Sequence, residues 1–302
     1  MNSYYLAVAG LVFTTFIWGI TFELVSKSLE EATPFIFSLI RFFIAFFLTF
    51  LVVLIKYKKI NITKSEFISG AICATFLFLG YSFQTTGLWE GLGNNGFFMP
   101  ATPTKSAFIT GTSVLMVPII MLFMGKINKN IHLWISIFIV LTGLTILLNP
   151  NVSNLTTGDV LTFGCSISFA AHIIYQGKYL IKKVNNIYNF VLVQMGATTF
   201  IFLIGAIFER RFLTFDIEWN YTVLLGLSIT GILATFVAIL IMVWAQKIVS
   251  PVQTAMIFTL EPVFAGLYNH FFTNHTLTNL GIFAGCIIVI GILYHEIKVS
   301  RL

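Results

Sequence analysis

Long, mostly apolar stretches recur from one end of this 302-residue chain to the other. A helix that crosses the hydrocarbon core of a bilayer needs ~20 consecutive apolar residues. Because lipid offers the backbone no hydrogen bonds, such a stretch can cross it only as a helix. We therefore predict an all-α polytopic membrane protein with about ten transmembrane helices, here called spans 1 to 10. The windows are 4–26, 34–55, 67–88, 105–125, 131–149, 158–177, 187–208, 221–246, 251–272 and 278–295.

The composition excludes a soluble domain of this size. Apolar residues make up 58% of the chain and charged residues 9%, with a mean hydropathy of +0.94. A soluble domain carries roughly 25% charged residues. The net charge of +6 comes from short basic clusters between the apolar stretches, which is typical of membrane-protein loops rather than of a nucleic-acid surface. We expect membrane lipids around the chain and no nucleic-acid partner.

The distribution of lysine and arginine predicts the orientation. With an even number of spans, both termini lie on the same side of the membrane. The loops on that side hold twelve of the seventeen basic residues and the opposite loops hold four, while Arg41 lies within a span. Because basic loops stay in the cytoplasm, we predict a protein of the cytoplasmic (inner) membrane with both termini cytoplasmic. The first apolar stretch lacks a basic leader and is expected to be a retained span.

The two halves of the chain show similar segments. Pro118 in span 4 and Pro262 in span 9 follow the related runs "SAFITGTSVLMVP" and "VQTAMIFTLEP". Five spans per half is an odd number, so tandem copies insert in opposite orientations. The sequence therefore predicts two inverted five-helix repeats, 1–150 and 151–302, an architecture that many secondary transporters share.

These segments resemble the EamA family of the drug/metabolite transporter superfamily. The similarity lies in "FIWGITF", "SLIRFFIAF" and "KSAFITGTSVLMVPII" in the first half, and in "GDVLTFGCSISF", "WAQKIVSPVQTAMIFTLEPVFAGL" and "LGIFAGCIIVIGILY" in the second. It covers nearly the whole chain. Two departures stand out: "WEGLGNNGFFMPATPT", at 89–104, adds an outer loop, and "TNHTLT" replaces the acidic residue often seen after span 9.

The resemblance implies a central cavity surrounded by spans 1–4 and 6–9, with spans 5 and 10 at the periphery. It also implies export or exchange of amino acids, nucleobase-like compounds or other small organic solutes. The family does not fix a single substrate.

Ionisable residues at membrane depth are the first candidates for function, because each costs ~2.5–3.5 kcal/mol on insertion scales. They are Glu23, Arg41, His172 and Glu261. Glu261 precedes Pro262, whose missing N–H frees a backbone carbonyl, so this position predicts a cation or proton site. Structural alternatives remain open: Arg41 pairs with Glu23 as a clamp, His172 is a satisfied core side chain, and Glu261 serves helix packing.

Aromatic and amide side chains in the spans extend this set. Gln84 and Gln194 can both donate and accept hydrogen bonds, as a zwitterionic or amide substrate requires, whereas the role of Gln246 at the inner edge stays open. The predicted substrate-binding residues are Trp18, Glu23, Arg41, Tyr81, Gln84, His172, Tyr175, Gln194 and Trp244. The predicted gating or coupling residues are Glu261, Pro118 and Pro262.

The sequence favours a secondary transporter, not an enzyme. It lacks a Walker loop, which excludes ATP as an energy source within the chain, and we expect no cofactor and no metal. The expected partners are a small amino-acid-like metabolite and, as a coupling ion, a proton. An intramembrane lipid-modifying enzyme remains an alternative, for which His270 and His275 are the nearest candidates, as does a passive channel, which requires a ring of polar residues. Gly281 and Gly285 form a Gly-x-x-x-Gly face that suits packing in a monomer or a homodimer.

Overall fold

The chain folds into a bundle of long helices. The computed structural model describes residues 3–91, 98–126, 130–148, 155–183, 186–212, 217–272 and 278–298. The helices are α1 (Ser3–Ser28), α2 (Pro34–Tyr57), α3 (Lys64–Leu88), α4 (Pro103–Gly111), α5 (Ser113–Phe123), α6 (Ile131–Leu148), α7 (Thr157–Lys183), α8 (Ile187–Phe212), α9 (Tyr221–Ser228), a π-helical segment (Ile229–Val237), α10 (Ala238–Ala245), α11 (Pro251–Phe258), α12 (Glu261–Phe272) and α13 (Asn279–Lys298). Within these ranges the β structure is limited to an isolated antiparallel bridge between Ala32 and Ile217.

The prediction of an all-α polytopic membrane protein is confirmed. Among the described residues, eight helical segments are long and apolar enough to cross a membrane, and span 5 corresponds to a shorter apolar helix, Ile131–Leu147. Span 9 is divided between α11 and α12. Exposed Phe, Leu and Ile side chains cover the outside of the bundle, as expected where the solvent is lipid.

Spans 4 and 9 are both interrupted near their middle. The first break falls at Thr112, between α4 and α5, and the second at Thr259 and Leu260, between α11 and α12. At each break a threonine hydroxyl donates to the carbonyl three residues earlier: Thr112 to Ile109 and Thr259 to Met256, both at 2.6 Å. Such hydroxyl-to-carbonyl bonds compete with the regular helix ladder, so they favour a bend.

The two interrupted spans are neighbours. Helix α4 contacts α12 and α5 contacts α11. Next to the breaks, a Cβ atom added at Gly111 would lie 3.4 Å from Cγ of Pro262, which is ordinary van der Waals contact. The two breaks therefore lie close together in the centre of the bundle.

Helices α6 and α13 pack against each other. Their backbones approach closely at Gly143 and Gly291, where an added Cβ would lie 2.8 Å from Ile288 and 2.6 Å from Val140. Small residues allow this approach, as is common between membrane helices. Gly285, from the predicted Gly-x-x-x-Gly face, lies 3.6 Å from Val263 of α12 by the same measure.

Candidate functional site

A narrow cavity lies among α1, α2, α3, α4, α5, α7, α10, α11 and α12. Its volume is about 50 Å³, which is room for a few water molecules. Its polar lining residues are Thr21, Arg41, Gln84, Thr110, Ser113, His172 and Glu261. Its aromatic lining residues are Trp18, Phe22, Tyr81, Phe169 and Phe258. The lining extends from the middle of the bundle to Val25 and Leu88, near the C-terminal ends of α1 and α3.

Arg41 is buried in this cavity and is held by neutral partners. Its Nε donates to the hydroxyl of Thr235 at 2.7 Å, and its Nη2 donates to the hydroxyl of Tyr81 at 3.3 Å. The guanidinium carbon lies 4.4 Å from the centre of the Tyr81 ring, a cation–π contact. In the described part of the chain the ion pairs are Lys27–Glu23 at 3.4 Å and Lys105–Asp159 at 3.2 Å. Glu23 thus pairs with Lys27, and the alternative of a Glu23–Arg41 clamp is wrong for this structure.

The π-helical segment fixes two cavity residues from neighbouring helices. Besides the Arg41–Thr235 bond, Trp18 donates from Nε1 to the carbonyl of Ala234 at 2.7 Å. A π turn widens a helix locally and is frequent at functional sites. Here consecutive residues, Ala234 and Thr235, hold the indole of α1 and the guanidinium of α2.

Glu261 lies on the opposite side of the break from Phe258, and both line the cavity. It is the first residue of α12 and is 6% exposed. Helix α1 comes unusually close at this point: an added Cβ at Gly19 would lie only 2.7 Å from the carbonyl oxygen of Glu261. Gly19 therefore lets α1 contact the backbone of the break.

A chain of buried polar side chains begins at His172 and leads away from the cavity. The Nε2 of Gln194 lies 2.5 Å from Nε2 of His172 and 3.5 Å from Oε1 of Gln176. Gln176 donates to Gln246 at 2.6 Å, and Gln246 donates to the carbonyl of Ile173 at 3.3 Å. In this arrangement Gln194 is the donor, so His172 accepts through Nε2 and carries its proton on Nδ1. The network joins α7, α8 and the C-terminal end of α10.

The structure brings six of the predicted residues around one cavity: Trp18, Arg41, Tyr81, Gln84, His172 and Glu261. Gln194 lies one side chain behind the cavity, and Gln246 closes the same network. The other predicted residues lie elsewhere. Tyr175 faces a separate groove, Trp244 is half-buried against the core, and Glu23 lies toward the C-terminal end of α1. Pro118 lies inside α5, and Pro262 packs by Gly111 beside the cavity.

Sequence reasoning missed several residues. These are the small polar residues Thr235, Thr110 and Ser113, which lie buried within apolar spans. A polar side chain in an apolar span indicates a position that faces the interior of the bundle. His270 is exposed, whereas His275 lies outside the described residues. In the added loop at 89–104, residues 92–97 also lie outside the described residues. The following segment bridges α3 and α7, since Ala101 donates to the carbonyl of Gly87 at 2.7 Å and Gly158 donates to that of Met99 at 2.9 Å.

The described helices form a membrane-spanning bundle around a small internal cavity that holds a buried arginine and a buried glutamate. Residues 156–295 match the model of the EamA-like transporter family. An uncharacterized transporter of Archaeoglobus fulgidus is 31% identical over 96% of this chain and 85% of its own length. The uncharacterized transporter YoaV of Bacillus subtilis is 22% identical over 97% of both chains. The chain therefore belongs to the EamA-like transporter family, and the resemblance noted in its sequence is confirmed.

A solved crystal structure supports the fold. It is 16% identical and superposes with a TM-score of 0.73 over 98% of each chain. At this identity the similarity concerns the fold alone.

Proposed function

We propose that the protein is a secondary transporter that carries a small zwitterionic metabolite, an amino acid or related compound, across the cytoplasmic membrane. The observation that carries this proposal is that Arg41, a basic residue, and Glu261, an acidic residue, line the same buried cavity. Neither residue belongs to an ion pair within the described ranges. A zwitterion would supply a carboxylate to pair with Arg41 and an ammonium group to pair with Glu261.

The chemistry of the lining supports a zwitterion. An arginine fork suits a carboxylate, because the two groups form parallel charge-assisted hydrogen bonds. The Glu261 carboxylate suits an ammonium group. The rings of Trp18 and Tyr81 offer apolar and cation–π surface, and Gln84 offers both a donor and an acceptor. Since each buried charge is costly without a partner, binding a matched substrate offsets that cost.

Alternating access accounts for the narrowness of the cavity. A volume of about 50 Å³ admits a few waters, so a metabolite enters only after the surrounding helices separate. The paired breaks at Thr112 and at Thr259 give two neighbouring spans a place to bend. One span in each half is interrupted near its middle, and this also supports an inverted repeat with a binding site near the midplane.

Glu261 is the proposed coupling residue. Its carboxylate can hold either the ammonium group of the substrate or a proton, but not both. Competition for that single acceptor would exchange substrate for a proton between the two sides of the membrane, and export or exchange would follow from the prevailing gradients.

Counterflow tests the proposal. Purified protein is reconstituted in liposomes loaded with a mixture of amino acids, and entry of each labelled amino acid is measured for wild type, Arg41→Ala and Glu261→Gln. We expect saturable counterflow by wild type and its loss in both variants. Arg211→Ala removes an exposed arginine at the end of α8 and should transport normally. Absence of exchange by a folded wild type, or unchanged exchange by both cavity variants, would contradict the proposal.

A further inference from the structure

A second cavity opens at the inner end of the bundle, between the start of α3 and the last turns of α7. It is a groove of about 590 Å³. Its lining residues are Lys64, Ser65, Ile68 and Ser69 from α3, and Tyr175, Lys178 and Tyr179 from α7. It shares no lining residue with the cavity of Arg41 and Glu261.

The polar part of the groove consists of hydrogen-bond donors and positive charge. Lys64 and Lys178 are both exposed, and neither forms an ion pair within the described ranges. The Tyr179 hydroxyl is buried beside Ser65 and Ser69, but with neither in hydrogen-bonding geometry. An anion with several acceptor oxygens can accept from all of these groups, as a phosphate does.

One carboxylate lies nearby, and it is already engaged. Glu66 is 1% exposed and accepts a hydrogen bond from the backbone N–H of Thr63 at 2.8 Å. Thr63 in turn accepts from the N–H of Glu66 at 3.2 Å, which completes a capping box at the start of α3. The positive end of the helix dipole offsets the charge of Glu66, so the two lysines dominate the open part of the groove.

The groove also has an apolar part that faces lipid. Ile68 is 46% exposed and adjoins Phe67, which is 59% exposed. The membrane-spanning segments Lys64–Leu88 and Thr157–Leu180 have their groove ends on the same side of the bundle. We therefore expect the lysines at the level of lipid headgroups, with Ile68 and the Tyr175 ring one turn deeper.

We propose that this groove is a binding site for an anionic phospholipid, with the phosphate held by Lys64, Lys178 and the neighbouring hydroxyls. An acyl chain would lie along Ile68. Basic pockets between membrane helices on the cytoplasmic side suit anionic headgroups, and zwitterionic phosphatidylcholine lacks the net charge that the lysines favour. This site does not depend on which metabolite the protein transports.

Native mass spectrometry of delipidated protein in detergent tests the site. Dioleoyl phosphatidylglycerol and dioleoyl phosphatidylcholine are added separately, so that only the headgroup differs. We expect wild type to retain phosphatidylglycerol preferentially. Lys64→Gln and Lys178→Gln should each weaken its binding about fivefold, and the double variant roughly 25-fold. Lys247→Gln combined with Lys298→Gln removes the same charge from the same side, away from the groove, and should bind like wild type.

Three outcomes would overturn the proposal. They are equal retention of the two lipids by wild type, unchanged binding by the Lys64/Lys178 double variant, and an equal loss in the Lys247/Lys298 control.

A fourth arm adds inorganic phosphate and follows the melting temperature. If phosphate alone raises the melting temperature of wild type as much as the lipid does, the groove binds free phosphate and the phospholipid proposal is wrong. Because Lys64 lies in the first turn of α3, Lys178→Gln is the variant that leaves the cap intact and decides the result if the double variant does not fold.

Discussion

The Nε atom of Arg41 donates to the hydroxyl of Thr235 at 2.7 Å, and this bond joins α2 to the π-helical segment between α9 and α10. The Tyr81 ring holds the guanidinium from α3. These anchors on two other helices already restrict the Arg41 side chain. It therefore loses little further rotamer entropy when a ligand binds. Both anchors are neutral, so the positive charge stays available.

Thr235→Val tests whether this anchoring serves binding. Valine has nearly the same shape but no hydroxyl, so the Nε donor of Arg41 loses its acceptor. Because the guanidinium would lose one of its two hydrogen-bonded anchors, we expect half-saturation of counterflow at up to about tenfold higher substrate concentration. Thr235→Ser keeps the hydroxyl and should behave like wild type. If the valine variant matches wild type, Thr235 does not position Arg41 for substrate.

Gly19→Ala tests the contact between α1 and the second break. The added methyl would lie 2.7 Å from the Glu261 carbonyl oxygen and 2.8 Å from Cβ of Phe264, so the helices must separate. We expect a loss of about 1–3 kcal/mol in stability, seen as a lower melting temperature in detergent. Gly285→Ala is the matched control, since its methyl meets only Val263 at 3.6 Å. Equal melting temperatures for the two variants would contradict the close approach.

Gln176→Met tests the buried network behind His172. The methionine has a similar volume but cannot donate to Gln246, whose Oε1 would be left buried without a partner. An unsatisfied buried polar group costs ~1–3 kcal/mol, so the melting temperature should fall. Gln84→Met changes the same residue type at a position whose amide faces the cavity, and it should leave the melting temperature nearly unchanged. A network that contributes nothing would show no difference between these variants.

Much of the fold and part of the site could be predicted from the sequence, for one physical reason. Lipid forces apolar residues outward and polar residues inward, so hydropathy located the spans. The same argument selected Arg41, His172 and Glu261, because a polar or charged group at depth must face the interior. Whether these residues bind substrate stays a prediction.

Other features leave no such mark in the sequence. Tyr175 and Trp244 are aromatic, and an amphipathic ring is stable at an interface or against the core as well as in a cavity. The π-helical segment Ile229–Val237 contains no proline and reads as an ordinary apolar stretch. The role of Thr235 depends on the register that this segment imposes, and only the structure contains that information.

The orientation of the bundle gives the last prediction. Twelve basic residues lie in loops or helix ends on the side of the termini and four on the opposite side, so both termini are expected in the cytoplasm. A truncated chain fused after Asn220 to alkaline phosphatase, which is active only outside the cytoplasm, should be active, and one fused after Lys247 should not. Green fluorescent protein, which folds in the cytoplasm, should show the reverse pattern. Phosphatase activity of the Lys247 fusion together with fluorescence of the Asn220 fusion would show that the topology is opposite to the predicted one. The lipid-binding groove of Lys64 and Lys178 would then face the outer leaflet.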